Sequence, residues 1–431
     1  MLPSVQRFII ASFLSLLAGL LLLPLGATAQ SIAIMGGTVH PVSEPPIDDG
    51  VVLMTGTTID AVGPRGDVSI PSDARRIDAT GMVVTPGFID ASTATGLVEV
   101  SSVDDTRDNA LRGDPMRAAF RVTDGINPNS TVIPITRLGG VTTVASTPSG
   151  GVIAGQSAVL DLVDGPLEAM LVRNGAGLYA TFSPDGADAA GGSRGGVSLR
   201  LREAFEDARF YRAQRNAYQR GAARPVSVSR LDLEALLPVL DGEQPLVVRA
   251  ARASDISAVL RMASTNELDV VIEGGNEAWM RRDALARAGV PVIVKPLTNL
   301  PTEFDRLGSR FDNAALLHAS GVPIVLSTMD THNARNLRFE AGNAVRFGLP
   351  HEAALEAVTH HPAQTLGIAD SHGTLTPGKT ANVVVWTGDP FEFSSFPEHV
   401  FIHGREIAPD SRQQRLLERY RTLDDTPPQY K

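Results

Sequence analysis

From residue 245 to residue 360 the chain alternates short apolar runs with amphipathic stretches, and this restricts its fold more than any other feature of the 431 residues. Strand-like runs lie at 245–248, 270–272, 290–294 and 322–327. Helical stretches follow them at 254–266, 277–288, 312–320, and 337–347 with 351–360. A strand–helix alternation of this kind buries itself as a parallel sheet covered by helices, and eight such units close into a barrel. No internal repeat of fixed period accompanies it.

Upstream, Met82-Val83-Val84 is followed by Pro86-Gly87, then Phe88-Ile89-Asp90 and six small residues. An apolar run punctuated by Pro and Gly reads as a buried strand ending at a loop. The segment Pro86-Gly87-Phe88-Ile89-Asp90 resembles the first barrel strand of the amidohydrolase superfamily, the metal-dependent hydrolases related to imidazolonepropionase and dihydroorotase. Residues 139–145, Gly-Gly-Val-Thr-Thr-Val-Ala, are similar to that family's second strand. Residues 373–382, Gly-Thr-Leu-Thr-Pro-Gly-Lys-Thr-Ala-Asn, resemble its closing pattern, with Asn382 where Asp is usual. The resemblance implies an α/β fold, a (β/α)8 TIM-like barrel with a composite small β-sandwich domain formed by both chain ends. The expected division is a signal peptide at 1–29, sandwich strands at 30–86, barrel at 87–372, sandwich strands at 373–410, and a C-terminal helix and tail at 411–431. Within the barrel, 149–156 reads as a Gly-rich mouth loop and 197–220 as a long helix capped near Ser193 or Gly196.

The first residues carry Arg7, an apolar stretch from Phe8 to Leu23, and Ala27-Thr28-Ala29 before Gln30. That order fits a cleaved export signal, leaving no stable membrane anchor and a periplasmic or secreted protein. The net charge of −10 argues against nucleic acid as a partner. The absence of cysteine excludes disulfides, thiolate metal sites and a cysteine nucleophile.

Active sites of such barrels sit at the C-terminal ends of the strands. The resemblance implies four histidines, an aspartate and often a bridging carboxylate or carbamylated lysine, holding divalent metal that activates water. The nine histidines here include none between His40 and His318. Ser92 and Ala94 stand at the first-strand ligand positions, Arg249 at the fifth, and Gly274 at the sixth. No metal or cofactor is therefore expected. His351-Glu352 begins like His-Glu-x-x-His, but Leu355 closes it. Gly191-Gly192-Ser193-Arg194-Gly195 matches Gly-x-Ser-x-Gly but lacks a preceding strand, so it reads as a loop capping a helix.

Asp330, after the last strand, is the candidate catalytic carboxylate surviving from the family pattern. Arg249, Lys295 and Arg335 are expected to present cations to the mouth, with Glu273 and His332 as further binding residues. Arg249 is expected to pair with Asp90, Glu273 or Asp330. The expected ligand is a small carboxylate-bearing molecule, since an arginine fork suits a carboxylate. Three functions remain open on the sequence. They are a non-catalytic binding protein or inactive partner of an active paralogue, an amidohydrolase working without the usual metal centre, and a structural interaction protein. Homo- or hetero-oligomers suit the first and third.

Overall fold

The computed structural model describes residues 31–421. The export signal read at 1–29 and the end of the tail lie outside the described residues.

Both chain ends do build one domain. Strands β1 (Ser31–Val39), β2 (Ile47–Thr55), β3 (Thr58–Pro64), β4 (Arg75–Asp78) and β5 (Val83–Pro86) come from the front of the chain. Much later in the chain come β14 (Val383–Trp386), β15 (Pro397–Ile402) and β16 (Arg405–Glu406). The order is β16-β15-β14-β5-β1-β2-β3, so β5 against β14 is the seam where the ends meet. β4 adds beside β1 ahead of β5. The strands of this domain hydrogen-bond into one continuous path. Its apolar side chains, among them Ile34, Met54, Ile59, Val84, Val385 and Phe401, gather into a single core.

The second sheet runs through β6 (Phe88–Thr93), β7 (Val141–Ser146), β8 (Ile153–Asp161), β9 (Leu171–Thr181), β10 (Leu246–Ala250), β11 (Val270–Gly274), β12 (Val292–Val294) and β13 (Ile324–Leu326) in chain order. It curls into a nearly closed eight-strand barrel. Side chains alternate across each strand. Val247, Val271, Ile293 and Val325 therefore fill the interior, while Val248, Ile272, Val294 and Leu326 face the outer helices.

One strand departs from the parallel expectation. β8 pairs antiparallel with both β7 and β9. Residues 153–156, read above as mouth loop, are its beginning. The glycines disguise it: Gly155 has φ +126°, and a Cβ there would lie 2.5 Å from the Phe120 carbonyl oxygen. Because β8 runs backwards, it starts at the mouth and delivers Asp161 to the opposite end, opposite Thr143 near the start of β7.

The long helix spans Arg194–Ala213, and Ser193 Oγ caps it by accepting from the Gly196 N–H at 3.1 Å. The Gly-x-Ser-x-Gly match is a capping loop, as its local sequence required.

Candidate functional site

The pleat that buries Val247, Val271, Ile293 and Val325 carries forward two residues, to Arg249, Glu273, Lys295 and Ser327. These inward positions at the strand ends form the floor of the mouth. Arg249 and Glu273 are register partners in adjacent parallel strands. The Arg249 Nε–H donates to Glu273 Oε2 at 2.7 Å. Ser92 Oγ donates to the other carboxylate oxygen at 2.5 Å. Glu273 is wholly buried, whereas the Arg249 side chain is 42% exposed. Its outer guanidinium edge lines a hollow of about 320 Å³ with Ser92, Thr147, Ser149 and Asp330. The Glu273 carboxylate holds the guanidinium above its ordinary pKa. Burial, and then the charge of Glu273, push the Tyr179 hydroxyl well above its own.

Gly274, matched above to a family histidine, is the wrong neighbour. It lies on the outward parity of β11 and has φ +96°, which a histidine would adopt only with strain. The inward residue at that strand end is Glu273. The mismatch of one position is what a period-two strand turns into a change of face.

Among the described residues no backbone ladder joins β13 to β6. Side chains bridge the seam instead. Ser327 Oγ and Thr328 Oγ donate to the two oxygens of Asp90, each at 2.5 Å. Asp90 is completely buried, and burial raises its pKa to about 6 against the pull of those donors.

The remaining candidates separate. Asp330 lines the hollow, but its carboxylate accepts from the His332 and Asn333 N–H groups at 2.9 and 3.1 Å and from the Asn333 amide at 3.2 Å. Burial opposes its charge, yet the Asn333 amide and N–H outweigh it and hold the carboxyl below the usual range. It is a turn-capping carboxylate and a weak base. His332 is committed elsewhere: Nε2 lies 2.9 Å from the Glu99 carbonyl and Nδ1 3.4 Å from Ser101 Oγ. The ring clasps the loop after β6 rather than facing the hollow. Arg335 is exposed and lines a separate surface hollow with Leu138, Phe339 and Phe396. It follows a turn that carries it out of the mouth. Lys295 keeps the inward parity, and among the described residues its ammonium makes no hydrogen bond or ion pair, while its backbone carbonyl accepts from the Thr298 N–H at 3.3 Å. Its charge acts on Asp330 and on Glu340, whose burial raises its pKa to about 7.

Sequence reasoning missed Ser92 as a working residue, because it was read only as a lost histidine. A hydroxyl at the end of the first strand, with one buried carboxylate predicted at another strand end, was the signal.

No three His, Asp or Glu side chains converge to hold a metal ion among the described residues. Outside this geometry stand the relatives. The amidohydrolase family profile matches residues 256–407. An amidohydrolase structure from Thermotoga maritima MSB8 superposes with a TM-score of 0.80 at 30% identity, over 88% of this chain and 99% of that one. The chain belongs to the amidohydrolase superfamily. The amidohydrolase tasK of Hapsidospora irregularis is 26% identical over 380 residues, 81% of this chain but 38% of its own length. This chain thus spans well under half of that relative. An imidazolonepropionase of Pseudomonas syringae pv. tomato is 25% identical over 366 residues, 79% of this chain and 88% of its own.

Proposed function

We propose that this amidohydrolase-superfamily member is an exported protein whose barrel mouth binds a small carboxylate-bearing ligand in place of the metal centre its relatives' mechanism uses. The observation that carries the reading is the Ser92–Glu273–Arg249 chain. Both oxygens of the buried carboxylate are engaged by donors, one of them a cation. A guanidinium beside the carboxylate supplies the positive charge that a divalent ion would bring, and it repels such an ion. The donor set therefore does not fit a metal.

What remains is recognition. The outer edge of Arg249 suits a carboxylate, Lys295 adds an unpaired charge nearby, and the hydroxyls of Thr147 and Ser149 offer hydrogen bonds to a polar ligand. The relatives' names indicate an ancestry in carbon–nitrogen bond hydrolysis, so N-acyl amino acids and short peptides are the ligands of choice. Export rests on residues 1–29 and a role beside an active paralogue on the same loss of ligands.

Calorimetric titration of the purified protein with N-acyl amino acids and dipeptides is expected to show saturable binding that weakens with salt. Lys295→Ala is expected to weaken it about tenfold, the size of one lost charge-assisted contact. No heat from any carboxylate, or binding unaffected by Lys295→Ala and salt alike, contradicts the reading.

A further inference from the structure

The hydroxyl groups around the mouth hollow constrain its ligand beyond the charge of Arg249. Small polar residues reach the hollow from three strand ends: Ser101 and Asn109 after β6, Thr147 and Ser149 after β7, and Thr331 after β13. Among the described residues its apolar lining is Ala94 and Met329 alone, and Met329 packs against the core of the barrel interior. The hollow therefore has no apolar wall on which an alkyl or aromatic group could rest. Its volume of about 320 Å³ lies at the lower end for small-molecule sites.

Three of these hydroxyls are only half used. A hydroxyl carries one donor and two acceptor positions. Thr147 Oγ1 donates to the Thr93 carbonyl at 3.0 Å, which leaves its lone pairs to accept. Ser149 Oγ accepts from the Asn109 amide at 3.2 Å, and Thr331 Oγ1 accepts from the Ala94 N–H at 3.2 Å. Neither Ser149 nor Thr331 donates to an acceptor among the described residues, so both protons are available. The hollow thus presents two donors and an acceptor beside a guanidinium. A carboxylate only accepts, and cannot serve this mixture alone. Ligand hydroxyls both give and take. An alkyl tail would displace water from these groups and leave them unpaired, which costs affinity.

We propose that the mouth selects polyhydroxylated carboxylates over acids of the same size with an alkyl tail. The inference rests on the carboxylate-binding reading above and ranks the ligands within it. The carboxylate meets the outer edge of Arg249, and the hydroxyls along the rest of the ligand exchange hydrogen bonds with Thr147, Ser149 and Thr331.

Gluconate and hexanoate share chain length and charge, and differ in the hydroxyl groups that gluconate carries. Calorimetric titration of the full chain with the sodium salt of each is expected to show gluconate bound about tenfold more tightly, the worth of two modest net hydrogen bonds. Ser149→Ala with Thr331→Val removes both free donors and is expected to bring the two affinities within about twofold. Ser149→Ala alone is expected to lower the ratio about threefold, so the comparison survives if the double variant does not fold. Hexanoate bound as tightly as gluconate, or a ratio unchanged in the variants, overturns the preference and leaves the carboxylate reading standing. Binding of N-acyl amino acids without binding of gluconate does the same. If no carboxylate binds at all, the carboxylate reading fails and this proposal fails with it.

Discussion

Arg249→Ala is expected to lower the unfolding free energy by about 3 kcal/mol, the lower end of the cost of breaking a buried ion pair. The reasoning concerns Glu273 more than Arg249. The arginine is partly solvated, so its own loss costs little. Glu273 is wholly buried, and without the guanidinium only the Ser92 hydroxyl remains to hold its charge. The carboxylate must then stay ionised without its cation or take up a proton. Replacing both partners together, as Arg249→Met with Glu273→Leu, is expected to recover most of the loss, since neither charge is left alone. Urea unfolding of the natural protein, the single variant and the double variant measures both. A single-variant change within about 0.5 kcal/mol, typical of a surface site, contradicts the pairing.

A loss of about 3–5 kcal/mol is expected for Asp161→Ala, at the opposite end of the barrel. Asp161 is fully buried. One oxygen lies 3.0 Å from His372 Nε2 and 2.7 Å from His403 Nε2. The other accepts from Thr143 Oγ at 2.6 Å and the Asn382 amide at 2.9 Å. Thr143 belongs to the barrel, while His403 and Asn382 flank strands of the terminal sheet. One carboxylate therefore ties the two domains together. It also accounts for Asn382 where the family pattern has aspartate: here the side chain must donate to Asp161, and a second carboxylate would repel it. The hydrogen bonds and the histidines hold the Asp161 carboxyl below its usual range, overcoming its burial.

The sign for pH follows. A depressed folded pKa stabilises the fold above the unfolded value of about 4 and is lost as pH falls through the lower folded value. Asp90 acts oppositely, because its pKa is raised to about 6. Its protonation favours the fold as pH falls from 6 toward 4, and nothing further is gained below that. The gap between natural protein and Asp161→Ala is thus expected to hold from pH 7 to 4 and to close only below that range. Chemical unfolding across pH 2–7 shows it. A gap that closes already at pH 6 contradicts a depressed Asp161.

The fold was legible because its signals are local and repeated. The runs at 270–272 and 322–327 and their following helices needed no tertiary knowledge. β8 was hidden because glycines at 150, 151 and 155 look like a loop, and their reason is contact with Arg117 and Phe120, which lie far from them in sequence. The placement of some candidate residues was legible too. Arg249, Glu273 and Lys295 follow from strand parity. Arg335 and His332 lie away from the lining of the hollow, because the turn after β13 sends successive side chains in different directions and no periodicity governs it. Asp161 could not be found from spacing, since its partners stand more than 200 positions downstream, at His372, Asn382 and His403.

The most direct test of the mouth as an ion-paired rather than metal-holding site is the metal content of the purified protein by elemental mass spectrometry, after expression in medium supplemented with zinc, manganese and iron. Well under one ion of any of these per chain is expected, with folding and ligand binding unchanged by chelator. One or more tightly held ions per chain, lost together with stability or binding on chelation, contradicts it.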